Sequence, residues 1–171
     1  ESVIVHASKL YFVGGIWQLW APLLVGGRVV IPNENEIQDI SVLLEKAVAH
    51  KAKSFEVIPS QINNLFKLNG SNNLDGIEQL ILTGEPLKKK LIERILVAKP
   101  SIEIINTYGQ TECSDVTTLY RISKEKDWDH RMVGKPIQNM SHYILDENKL
   151  CCPVDVIGEI YTAGPGVSRG Y

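Results

Sequence analysis

Seven consecutive residues, Asn106-Thr107-Tyr108-Gly109-Gln110-Thr111-Glu112, bring together an amide, an aromatic ring, a glycine, hydroxyls and a carboxylate. An aromatic face can stack on a nucleobase and an amide can bond its edge. The glycine lets a backbone come close, a hydroxyl can meet a phosphate, and a carboxylate can hold Mg²⁺. The same residue types also make an ordinary polar turn after a strand, so both readings stay open on chemistry alone. Other candidates are weaker. Gly164-Pro165-Gly166 and Gly170 do not spell G-x-G-x-x-G or a P-loop and follow a β-like stretch rather than opening a helix. His6, His50, His130 and His142 lack ligand spacing, and no serine lies in G-x-S-x-G.

Strands and helices must position that stretch, and they are legible as alternating periods. Ile16, Leu19, Trp20, Leu23 and Leu24 recur at helical spacing before Gly26-Gly27, and RVVIP at 28–32 reads as a strand. Ile40, Leu43, Leu44, Ala47 and Val48 are again helical, SFEVI at 54–58 is a strand, and the stretch from Pro59 to Leu68 a short helix. QLILT at 79–83 and IEIIN at 102–106 read as strands around a helix with Leu87, Leu91 and Ile95 on one face. Lys88-Lys89-Lys90 begins that helix as a solvated charge run. Such alternation predicts a parallel sheet covered on both faces, with ligands beyond the strands' C-terminal ends, in the loops after Ile58, Thr83 and Asn106. Past Tyr120 the pattern breaks into short β-like pieces, HYILD at 142–146 and GEIYTAG at 158–164. The expected architecture is an α/β, flavodoxin-like parallel sheet flanked by helices over 1–122, then the start of a β-rich subdomain over 123–171.

Composition narrows the partners. The 171 residues carry a net charge of −2 without long like-charge blocks, which points away from nucleic acid and anionic membrane. Cys113, Cys151 and Cys152 are odd in number and lack C-x-x-C spacing, so neither a disulfide framework nor a zinc site is indicated and a reducing cytoplasm is expected. No apolar run approaches the roughly 20 residues of a membrane span, and the start has no signal-peptide pattern.

Four stretches resemble one family. NTYGQTE resembles the N-x-Y-G-P-T-E core motif of nonribosomal peptide synthetase adenylation domains, whose superfamily also contains acyl-CoA synthetases and firefly luciferase. WQLWAPLLVGGRVVI from Trp17 resembles W-E-x-x-x-x-L-L-x-G-G-x-x-x-I; LILTGEPL at 80–87 resembles L-I-x-G-G-E-x-L; and GEIYTAGPGVSRGY at 158–171 resembles G-E-L-x-I-x-G-x-G-L-A-R-G-Y. The four occur in the family's order and span essentially the whole chain.

The resemblance implies that Tyr108 stacks on the adenine of ATP, with Asn106, Gly84 and Glu85 lining the base. Thr107 and Gly109 belong to the same cofactor-binding stretch. It further implies catalytic roles for Thr111, at phosphate, and for Glu112, as the Mg²⁺ ligand. Gln110 and Thr83 depart from the motifs without removing a reactive group. A phosphate loop ending in K-G, a T-G-D motif and a domain with a catalytic lysine are not found in the sequence, so an internal segment that cannot complete catalysis alone is expected. The implied reaction is attack of a carboxylate on the α-phosphorus of ATP, then transfer of the acyl group to a carrier-protein thiol. The implied partners are a small carboxylic acid, the remaining adenylation subdomains and a peptidyl carrier protein. An acyl-CoA synthetase is the alternative within the superfamily, and a non-catalytic flavodoxin-like binding module the alternative outside it.

The resemblance also maps an acid pocket. Val13, Gly14, Trp17 and Glu56 would form one part of it, and Ile81, Thr83, Thr107, Asp115 and Val116 the other. Val13 stands where amino-acid-activating members carry the aspartate that pairs with the α-ammonium. An apolar residue there cannot offset the several kcal/mol needed to desolvate an ammonium. An α-keto or α-hydroxy acid suits it, as does a β- or ω-amino or guanidino acid held by Glu56 or Asp115. The alternative is that these two carboxylates point to solvent or to a lysine.

Overall fold

The computed structural model describes residues 2–69, 74–125 and 127–170. Apolar residues at helical spacing form α1 (Val13–Leu24), α2 (Ile40–Ala49), α3 (Pro59–Asn69) and α4 (Lys89–Ala98). The start of α2 is set by Asp39, whose side chain accepts from the Ser41 backbone N–H at 2.8 Å as an N-cap. α2 buries Leu43, Leu44 and Ala47, and α4 buries Leu91, Ile92, Ile95 and Leu96, each a stripe at i, i+3 and i+4 spacing. The lysine run expected to face solvent does so at the start of α4.

The strands are β1 (Val3–Val5), β2 (Arg28–Val30), β3 (Ser54–Val57), β4 (Gln79–Leu82), β5 (Glu103–Tyr108), β6 (Thr118–Ile122), β7 (Lys135–Pro136), β8 (Ser141–Leu145) and β9 (Glu159–Ala163). The central sheet runs β3-β4-β5-β6-β7, with β3, β4 and β5 parallel. Phe55, Leu80, Ile104 and Ile122 are fully buried and face the helices on one side. β1 and β2 form a separate parallel pair joined through α1, with β1 beside β3. β8 and β9 form an antiparallel hairpin, as the β-like tail predicts.

The sheet departs from an all-parallel expectation at its far edge. β6 and β7 both run antiparallel to their neighbours. The link between β5 and β6, residues 109–117, is shorter than the dozen or so residues a parallel crossover needs, so the chain can only turn back. β7 lies beyond residue 122 and still pairs with β6, so the sheet continues past the change in sequence pattern.

Candidate active site

Strand register sorts the candidate residues onto two faces. Glu56, Ile81 and Ile105 are direct neighbours across β3, β4 and β5, and Thr107 follows on the same face because side chains alternate along a strand. Asn106 lies opposite, level with Val57 and Leu82. The acid-pocket residues of the sheet therefore share one face, and the amide expected at adenine sits on the other.

Beyond β4 and β5 is a cavity of about 680 Å³, within the range of small-molecule sites. Gly84, Glu85, Asn106, Thr107, Tyr108 and Gly109 all line it. The Asn106 amide donates to the Met132 carbonyl oxygen at 2.9 Å, which leaves its own carbonyl oxygen free to accept a bond. Glu85 accepts from the Ser60 backbone N–H and from Ser60 Oγ, both at 2.8 Å, so its carboxylate is tied to the start of α3. Thr111 and Glu112 do not line this cavity. They lie exposed on a 3₁₀ turn, Thr111–Cys113, immediately after it. The tail packs on that turn: Ser168 N–H donates to the Glu112 carbonyl oxygen at 2.7 Å, and Ser114 Oγ donates to the Gly166 carbonyl oxygen at 2.8 Å. The 106–112 stretch and the 158–171 stretch are thus in contact through this turn.

Gly109 makes this turn possible. A Cβ there would lie 1.7 Å from the Asp115 carbonyl oxygen, so no larger residue fits without moving backbone. Ser114 and Asp115 follow with φ of 60° and 85°, a left-handed pair that swings the Asp115 side chain back toward α1. An ideal Cβ on Gly14 would stand 3.6 Å from Asp115 Oδ2.

Glu56 is 7 % exposed, and its Oε2 accepts a short hydrogen bond from Gln18 Nε2. Its pKa is raised to about 7: burial is the main cause and like-charge repulsion from Asp115 adds to it, while the hydrogen bond from Gln18 and the nearby Trp17 indole N–H oppose the shift. Burial also raises the pKa of Asp115. The Trp17 indole N–H lies close enough to favour the ionised form of both carboxylates, yet it completes a well-formed hydrogen bond to neither; Trp17 Nε1 and Asp115 Oδ2 are both buried without a partner. Glu56 and Asp115 therefore turn toward one another and α1, not toward solvent, and no lysine or arginine among the described residues pairs with either. Gly14, Trp17, Glu56 and Asp115 are brought together here. Ile81 and Thr107 share Glu56's sheet face. Thr83 follows β4, its N–H donating to the Val57 carbonyl oxygen at 3.3 Å, while Val13 and Val116 are half-buried beside Gly14 and Asp115.

The structure brings to the site residues that the sequence reads otherwise or leaves unmarked: Lys88 and Lys89 belong to a run expected only to face solvent, and His130 lacks ligand spacing. Lys88, Lys89, His130, Arg131 and Val133 also line the cavity, supplied by the start of α4 and the loop before β7. No motif marks that loop, and only the sheet brings it to Asn106. Gln18 is 1 % exposed and joins the buried stripe Gly15, Gln18, Pro22 of α1, so a polar residue at a buried helical position was the signal available for it.

Comparison with known proteins identifies relatives of the chain and of its fold. Malpibaldin synthetase of Mortierella alpina is 32% identical over 98% of this chain, which spans 3% of that protein. Gramicidin S synthase 2 of Aneurinibacillus migulanus is 32% identical over 94% of this chain, which spans 4% of it. A solved holo NRPS protein containing adenylation and PCP domains, bound to a vinylsulfonamide inhibitor, superposes with a TM-score of 0.89 at 28% identity, over 100% of this chain and 30% of that one. A family model described as AMP-binding enzyme matches residues 1–171, and the chain belongs to that family.

Proposed function

We propose that this chain is the acid-selecting and adenine-binding part of an ATP-dependent adenylation domain that works in nonribosomal peptide synthesis. The observation that carries the reading is the cavity in which residues 84–85 and 106–109, distant in sequence, converge around Tyr108. The oxygen of a bound carboxylate attacks the α-phosphorus of ATP, the bond to the β-phosphate oxygen breaks, and pyrophosphate leaves an acyl-AMP. A carrier-protein thiolate then attacks the acyl carbon and releases AMP. Tyr108 stacks on adenine, Asn106 accepts from its amino group, and Thr111 meets phosphate. The Glu112 carboxylate is exposed and makes no ion pair among the described residues, so it is free to serve as the one protein oxygen that Mg²⁺ bound chiefly to phosphates needs. When bound, that ion neutralises charge on the triphosphate.

The remaining adenylation subdomains and the carrier protein are its partners in the reaction. In support, α1 leaves Ile16, Trp20, Leu23 and Leu24 exposed, an apolar face suited to burial against another part of the enzyme.

The acid is not a standard α-amino acid. Val13 offers no charge to an α-ammonium, so an α-keto, α-hydroxy, β-amino or ω-amino acid is expected. Pyrophosphate exchange by the intact enzyme over a panel of these acids tests both levels. ATP-dependent exchange with at least one of them supports adenylation, and a standard L-α-amino acid as best substrate overturns the reading of Val13.

A further inference from the structure

Gln18 uses all of its hydrogen-bonding capacity in the interior. Its Oε1 accepts from the backbone N–H groups of Ala7 at 2.9 Å and Ser8 at 3.0 Å, and its Nε2 donates to Ser8 Oγ at 3.2 Å and to Glu56 Oε2. The orientation of the amide is forced. Backbone N–H groups can only donate, so the oxygen must face them and the nitrogen must face Glu56. A glutamate at 18 would keep the two backbone bonds but set a second carboxylate against Glu56. The amide is therefore what lets Glu56 stand as a carboxylate at the end of β3.

Across from Glu56 the structure leaves matching groups open. Asp115 Oδ2 is buried with no partner, in a place where Gly14 provides no side chain to cover it. Two carboxylates sharing a buried site with no cation among the described residues are complementary to a cationic donor. We infer that Gln18 is a positioning residue that holds Glu56 beside Asp115, so that the acid pocket selects a substrate carrying an amino or guanidino group away from its reacting carboxylate.

This inference rests on the adenylation reading and chooses among its acids. The groups acting on Glu56 are Asp115, Gln18 and Trp17. His6, on the segment that leads into α1, donates from Nε2 to the Gly15 carbonyl oxygen at 3.1 Å and so is turned to the backbone of α1. A cationic acid binds Glu56 in its ionised form, so kcat/KM for it should rise as pH passes through about 7, whereas a neutral isostere should show no such rise.

The test is pyrophosphate exchange by the intact enzyme with a set of ω-amino and guanidino acids, each paired with its neutral isostere. The variants are Gln18→Glu, Glu56→Gln and the swap Gln18→Glu with Glu56→Gln. The unaltered enzyme is expected to prefer one cationic acid by roughly 30-fold or more, and Glu56→Gln to erase that preference through KM rather than kcat. Gln18→Glu should weaken the preference and move the pH step upward, because a second carboxylate opposes ionisation of Glu56. The swap restores a hydrogen bond between the two positions and so should regain melting temperature, but it should not regain the preference, since the charge then points at the backbone of 7–8. Recovery of the preference by the swap, or a Gln18→Glu variant with unchanged preference and pH step, overturns the inference. Exchange with neutral acids alone overturns it while leaving adenylation intact. A folded enzyme that exchanges with no acid at all overturns both.

Discussion

The end of β3 and the loop before β7 each present a carboxylate near a candidate ligand site, and their surroundings act on them in opposite directions. Glu56 is buried between α1 and the sheet, and burial raises its pKa to about 7. Asp129 stands at the surface, where Arg131 grips both of its oxygens at 2.6–3.1 Å and holds its carboxyl well below the usual carboxylate range. Asp129 has its counter-ion two residues away and water around it, so its charge is easily kept. Glu56 has an amide, an indole and another acid, and its charge stays costly until something positive arrives. A structural ion pair supplies its own partner within the fold; a recognition site leaves that place to the ligand.

Four measurements sharpen or break this contrast. The largest effect is expected at Glu112, an exposed carboxylate whose value lies in chemistry and not in the fold. Glu112→Ala in the intact enzyme should lower pyrophosphate exchange by about 10²–10³-fold, with melting unchanged. Near-normal exchange would remove Glu112 from the metal site. Next comes Gly109→Ala. Its Cβ cannot share space with the Asp115 carbonyl oxygen, so the turn that separates the two sites must shift. A destabilisation on the order of 3 kcal/mol, together with a steep loss of exchange, is expected. A variant that melts and exchanges normally would mean that the turn does not hold Asp115 in place.

Glu56 itself offers a smaller, pH-dependent effect. Its native pKa lies above the ordinary value of 4.5, so the folded state keeps a proton that the unfolded chain releases. The associated stability is complete below about pH 4.5, falls as pH rises through about 7 and then levels off, a change on the order of 3 kcal/mol. Melting of Glu56→Gln across this window, without substrate, should lack that decline; a parallel decline in both proteins would assign it elsewhere. Asp129→Asn should have the least effect at neutral pH, because exposed pairs contribute little. Its lowered pKa gives the opposite sign: any stability from Asp129 is present above the ordinary aspartate value of 3.8 and lost as pH falls below it. A large loss of melting temperature in Asp129→Asn at pH 7 would show that the loop is held by that pair.

Local order explains which parts were legible. α2 and α4 announce themselves because each buries one stripe, and a stripe on a helix is a spacing in sequence. β3 and β4 show as short apolar runs because both of their faces are covered. β1 and β6 were passed over: three residues, VIV, are too few to show a period, and TLYRI mixes buried Thr118 and Ile122 with exposed Arg121 at an antiparallel position near the sheet edge.

The amino-acid order by itself determined the family motifs, the helix stripes and the presence of Val13, Glu56 and Asp115 at the positions those motifs mark. Tertiary structure alone decided where those carboxylates point. The β3–β4–β5 register put Glu56 on the face of Ile81 and Thr107, the left-handed pair at 114–115 turned Asp115 back toward α1, and α1 laid the Gln18 amide against Glu56. The two positions are separated by a turn, two helices and two strands, so their meeting is a long-range contact that no local period encodes. Burial, and the raised pKa that follows from it, exists only once those elements pack.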